Sequence, residues 1–228
     1  PDLTNPTRYE GLSTQVEIWH SQGFAVAGSP PHLGGELFEM AQRLRGFNNF
    51  MIDLALRKEL AHYLLDQLAS VLIHNALILA QTGIDILLLD DDVAMPTQLI
   101  ISPTTWREFF KPRLAHLISI VKEESPDLLV FYHSDGNFTQ LIPDLVEIGV
   151  NVINPVQPDC MNPAAIKQEF GDQSAMWGTV GSADLWDRGT PNEIRQAVNQ
   201  CITSLGPEGL LLSPAYDIDF APFENIVA

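Results

Sequence analysis

The side chains best placed to do chemistry are three consecutive acids, Asp90-Asp91-Asp92, and a histidine two residues ahead of an aspartate, His133 and Asp135. Imidazole beside carboxylate serves proton transfer and also holds divalent cations. Each group has a plainer use: aspartates cap helices or lie solvated in loops, and most lone histidines are structural. Position separates the two readings. The strand expected over Ile84 to Leu89 runs straight into the acidic triple, and the apolar run Leu128 to Tyr132 leads straight into His133. Continuously apolar runs are strands buried on both faces. A loop that opens on ionisable groups at the end of such a strand is costly unless those groups face something polar.

The elements that must position these residues follow one alternation. Strands are expected at Phe24 to Gly28, Ile84 to Leu89, Leu128 to Tyr132, Val150 to Asn154, Met176 to Val180 and Leu210 to Ser213. Helices are expected at Gly11 to His20, Glu36 to Arg45, Asp53 to Gln81, Ser102 to Val121, Phe138 to Ile148, Ala164 to Phe170, Thr190 to Leu205 and Pro222 to Val227. Ser102-Pro103 and Asn162-Pro163 combine an N-cap with a proline at the first helical position. Thr190-Pro191-Asn192-Glu193 reads as a capping box. Pro112 should kink or divide its helix. Gly23, Gly83 and Gly149 each join a helix to a strand, the repeated joint of a βα series. The chain therefore reads as α/β with a parallel sheet. An eight-stranded barrel would need two strands more than these six.

Ligands of parallel α/β folds bind at the carboxyl ends of the strands. The strand ends supply His133, Asp135 and Asp91 as candidate catalytic residues. Asp90, Asp92, Asn154, Gln157, Gly178, Tyr216 and Asp217 follow as candidate substrate contacts. Cys160 reads as a loop residue and Cys201 as a core residue.

Composition narrows the partners. Twelve basic against twenty-nine acidic residues leave a formal charge of −17. That excludes a nucleic-acid surface, which needs clustered Lys and Arg. Two cysteines make no disulfide framework. Charges break every apolar stretch before the roughly 20 residues of a membrane span. With no signal peptide, a cytoplasmic protein without a membrane partner is expected.

The ordered motifs Gly83-Ile84-Asp85, Asp90-Asp91, Ile101-Ser102-Pro103, His133-Ser134-Asp135-Gly136-Asn137, Gly149 to Asn154, Gly178-Thr179-Val180, Gly189-Thr190-Pro191 and Pro222 to Ile226 resemble the uroporphyrinogen decarboxylase superfamily. That superfamily also contains methyltransferases that work with corrinoid proteins. The resemblance implies a (β/α)8 TIM barrel with about six βα units in residues 1–228. It also implies roughly a hundred or more residues ahead of Pro1, among them the first two strands. The decarboxylases' N-terminal arginine motif and aspartate are absent. The zinc methyltransferases carry a histidine, one residue and a cysteine, with a distant second cysteine. Here Asp135 stands in the first cysteine's place and Tyr216 near the second's.

The implied function is methyl transfer from a small methylated donor, or to a thiol, with a corrinoid protein as partner. Zinc would be held by His133 and Asp135, helped by Asp91, Asp217 or Cys160. The alternatives are a decarboxylase-type lyase on a tetrapyrrole and a non-catalytic binding relative. An incomplete barrel would expose strand edges, so either pairing with another chain, including a second copy, or cover from a further segment of the chain is expected.

Overall fold

A computed structural model describes residues 2–32, 34–216, 218 and 220–228. The chain divides into two compact units. The first comprises Pro1–Asp92, Ile101–His133 and Glu147–Val150; the second comprises Val93–Ile100, Ser134–Val146 and Asn151–Ala228.

In the first unit the elements are α1 (Leu12–Ser21), β1 (Ala27–Gly28), α2 (Phe38–Arg45), α3 (Phe47–Leu56), α4 (Lys58–Gln81), β2 (Ile86–Asp90), α5 (Pro103–Phe109), α6 (Lys111–Glu124) and β3 (Leu129–His133). β1 pairs parallel with β2, and β2 with β3 from Ile86↔Leu129 to Asp90↔His133. The second unit holds α7 (Ile142–Glu147, its last residue counted with the first unit), β4 (Val152–Asn154), α8 (Pro163–Phe170), β5 (Ala175–Trp177), α9 (Ala183–Arg188), α10 (Pro191–Leu205), β6 (Leu210–Leu211) and α11 (Phe223–Ile226). β4 pairs parallel with β5, and β5 with β6. Parallel strands in chain order, joined through helices, make the fold α/β and a partial (β/α)8 barrel.

The local signals form as their chemistry requires. Gly23, Gly83 and Gly149 take φ of 85°, 86° and 99°, a left-handed turn that a Cβ would strain. Ser102 Oγ accepts the Thr105 N–H at 3.1 Å, and Thr190 and Glu193 close their capping box. The helix around Pro112 is divided, with the break at Phe110. Trp106, Phe109, Phe110, Leu114, Leu117 and Val121 are all buried, as their spacing requires.

Several expectations change. The helix expected from Asp53 to Gln81 is two helices, because Asp53 lies inside α3 and Arg57 breaks the path with φ −132° and ψ 53°. The Asp53 carboxylate is buried and takes Arg45 Nε at 2.7 Å and Arg57 NH1 at 3.2 Å, an ion-pair knot that sequence spacing does not announce. The first strand begins only at Ala27, because the Asp85 side chain captures the Val26 N–H at 2.6 Å and leaves Phe24 exposed. The six-residue helix α9, not expected, starts where Ser182 Oγ accepts the Leu185 N–H. Strands β4 to β6 are shorter than their apolar runs.

Among the described residues, α4 is long and apolar enough, by length and composition, to cross a membrane, contrary to the expectation that charges break every such stretch. Its stripe Ala61, Leu65, Ala69, Leu72, Ala76 and Leu79 is buried, and α4 packs along α6, while 39% of its apolar window is buried in all. In the second unit Val180, Trp186 and Ile194 form one buried apolar cluster, with Cys201 packed beside it. Both cysteines are free.

Candidate metal centre and the neighbouring loops

The register of β2 and β3 brings the first unit's reactive groups together. Asp90 lies directly beside His133 on the neighbouring parallel strand, where side chains at the same level share a face. Asp92 follows two residues later, back on the same side. One ligand atom each from Asp90, Asp92 and His133 lies within 4.8 Å of the others, and His133 Nε2 stands 3.8 Å from Asp92 Oδ1. All three residues are half-buried, reachable by a small ligand yet partly withdrawn from water.

Asp91 points elsewhere. It is buried and accepts the Phe38 N–H at 2.7 Å and the Glu39 N–H at 3.0 Å, anchoring the first turn of α2. In return Glu36 accepts the Asp90 N–H, and Glu39 accepts the Asp92 N–H at 3.3 Å. The acidic triple is thus clamped from both directions by the residues that open α2. Burial pushes the Asp91 carboxyl up to about 7, against the pull of its two backbone donors, with Glu39 and Asp90 adding to the rise. Burial likewise drives Glu36 well above the usual carboxylate range. Gly35 makes the clamp sterically possible: at φ 71°, an added Cβ would lie 2.6 Å from Glu39 Oε2 and 2.8 Å from Asp91 Oδ1. Phe38 packs edge-on to Phe110 and tilted against Phe50, which holds α2 in place.

The second unit organises its polar groups around one amide. Gln157 is buried; its Nε2 donates to Asp135 Oδ1 at 2.8 Å and to the Ala215 carbonyl at 3.3 Å, and its Oε1 accepts the Gly136 N–H at 2.8 Å. The loops after His133, Asn154 and Leu211 are tied together by that one side chain. Asp135 itself is exposed. Gly136 is needed there, since at φ 82° a Cβ would lie 2.7 Å from the Met95 carbonyl oxygen. Asn154 donates to the Trp177 carbonyl at 3.1 Å, and Gly178, at φ 77°, leaves room for the Asn154 amide. The Tyr216 phenol is raised first by burial, then by Asp159 and Cys160 beside it. The Cys160 thiol is also raised, first by burial, which disfavours the thiolate. Asp217 lies outside the described residues.

The candidates therefore divide. Asp90, Asp92 and His133 form a cluster; Asp135, Asn154, Gln157, Gly178 and Tyr216 belong to the second unit's loops; Asp91 serves the α2 clamp. His133, expected to hold a metal with Asp135, is grouped with Asp90 and Asp92. Asp90 and Asp92 lie beside His133 because the register of β2 with β3 brings them together. Glu36 and Glu39 carried no sequence signal, as they reach the triple across more than fifty residues.

These observations agree with comparisons to known proteins. The family model for uroporphyrinogen decarboxylase (URO-D) matches residues 24–228. A methylated-thiol–coenzyme M methyltransferase of Methanosarcina mazei is 27% identical over 168 residues, covering 72% of this chain and 42% of that protein. A solved structure of a methyltransferase from Methanosarcina mazei superposes with a TM-score of 0.73 at 21% identity, covering 94% of this chain and 60% of the other. The chain thus spans less than two thirds of each relative, and the structural likeness establishes the fold. With the family model matching from Phe24 to the last residue, the chain belongs to the uroporphyrinogen decarboxylase family.

Proposed function

We propose that the chain is the metal-holding part of a methyl-transfer enzyme acting on a small methylated donor or thiol acceptor, with a corrinoid protein as partner. The observation that carries the reading is the convergence of Asp90, Asp92 and His133. One imidazole nitrogen and two carboxylate oxygens suit Zn²⁺, and three protein ligands leave a fourth position for substrate. A tetrahedral zinc with ligands at about 2.0–2.2 Å needs its donors roughly 3.3–3.6 Å apart. The 3.8 Å from His133 to Asp92, in a cluster whose ligand atoms lie within 4.8 Å of one another, requires the half-exposed side chains to close in. Bound there, zinc would supply a Lewis acid that favours the thiolate form of a thiol.

The chain's own residues supply the rest. Glu36, Glu39 and Asp91 fix the backbone of the triple, so that only the side chains of Asp90, Asp92 and His133 would move to close on an ion. In the second unit Gln157 orients the Asp135 carboxylate for a proton or a polar substrate group. A multiply anionic tetrapyrrole finds less support, because Arg43, Arg45, Arg57, Arg113 and Arg188 each pair with a carboxylate.

Calorimetric titration of chelator-stripped protein with ZnCl₂ tests the reading. One site is expected, with His133→Ala and Asp92→Ala each weakening it by about 100-fold or more, and affinity falling as protons compete at lower pH. Asp135→Ala should leave zinc affinity unchanged. No zinc binding by the unaltered chain, or equal binding by the His133 variant, would overturn it.

A further inference from the structure

Asp92 lies beyond the last paired residues of β2 and β3, which are Asp90 and His133, so strand pairing alone does not hold it beside the histidine. The backbone on either side of it is tied instead. The Asp91 N–H donates to the His133 carbonyl at 3.1 Å, the last rung of the parallel ladder. A continued ladder would step two residues along each strand and carry the Val93 N–H to the Asp135 carbonyl. The Val93 N–H donates at 3.1 Å to the Ser134 hydroxyl instead, and both residues are 0% exposed. That hydroxyl in turn donates to the Asp135 carbonyl at 3.3 Å. A side-chain oxygen thus replaces the missing rung where the chain turns away at Gly136, with φ of 82°.

Val93 follows Asp92 and Ser134 follows His133, so this bond ties the backbone next to one carboxylate to the backbone next to the imidazole. The bond from the Asp92 N–H itself is longer, 3.3 Å, and goes to the half-buried Glu39. We propose that Ser134 is a positioning residue for the zinc site: by accepting the Val93 N–H, its hydroxyl holds Asp92 where it can close with His133 on one ion. The proposal rests on the metal reading of Asp90, Asp92 and His133, and it gives Ser134 no contact with the ion.

Calorimetric titration of the 228-residue chain and its variants with ZnCl₂ tests the assignment. Ser134→Ala should weaken zinc by about tenfold or more. Asn225→Ala removes two bonds of 2.9 Å, to the Trp186 and Gly189 carbonyls, elsewhere in the same unit. It should lower the urea midpoint at least as far as Ser134→Ala does and leave zinc affinity unchanged, which separates positioning from general stability. Hydrogen exchange in the unaltered chain, followed by NMR, decides the matter even if Ser134→Ala does not fold. Coupling is reciprocal, so zinc should slow exchange of the Val93 amide by about tenfold more than that of the Val180 amide, which is bonded to the Ser213 carbonyl. Absence of zinc binding by the unaltered chain overturns the metal reading and this proposal with it. Zinc binding that Ser134→Ala leaves intact, an equal loss in Asn225→Ala, or equal slowing of the two amides overturns this proposal alone.

Discussion

The polar groups after β2 and those after β3 and β4 solve the same problem in opposite ways. After β2, five carboxylates, Glu36, Glu39, Asp90, Asp91 and Asp92, gather around backbone N–H groups, and burial raises Glu36, Glu39 and Asp91. After β3 and β4, one exposed carboxylate, Asp135, is tied by the neutral amide of Gln157, whose three hydrogen bonds are all within the second unit. The first arrangement holds repulsion that a cation would relieve; the second is already satisfied and rigid. The difference teaches that two loops opening on the same kind of side chain can be organised in one case by many carboxylates on backbone N–H groups and in the other by a single neutral amide.

The largest effect tests the rigid side. Gly136→Ala places a methyl against the Met95 carbonyl at a left-handed φ, so a loss of about 3 kcal/mol is expected in urea denaturation. An unchanged midpoint would mean that this loop is loosely held. A smaller loss, about 2 kcal/mol, is expected for Asp91→Asn, because an amide presents only one oxygen to the two N–H groups of α2.

The same residue gives the charged side a signature in pH. Asp91 is raised from 3.8 to about 7, so the folded protein holds a proton there that the unfolded chain has released. Stability from this group is therefore present at acid pH and declines as pH rises between those values. Thermal melts between pH 5 and 8 should show that decline, shallower in Asp91→Asn; identical slopes would remove Asp91 from the account. The smallest effect belongs to the exposed partner of the amide. Asp135→Asn should cost less than about 1 kcal/mol, since Gln157 keeps its bonds to Gly136 and Ala215.

Much of this was legible in the chain itself. Gly23, Gly83 and Gly149 signalled the βα joints because only glycine turns left-handed without strain, and Ser102, Asn162 and Thr190 signalled helix starts because their side chains cap locally. The break at Arg57 and the late start of β1 were not legible. Both depend on carboxylates, Asp53 and Asp85, that bind partners through space. Within the site, His133 and the acidic triple stood out at strand ends, but their grouping did not.

The sequence by itself determined the α/β alternation, the strand ends where polar chemistry collects, and the family, since these rest on local propensity and ordered motifs. Only the tertiary structure decided that Asp90 and Asp92 meet His133 while Asp91 turns inward to hold α2. Consecutive residues at a strand end point to alternate faces, and which face looks toward His133 is set by the pairing of β2 with β3 and by the clamp from Glu36 and Glu39.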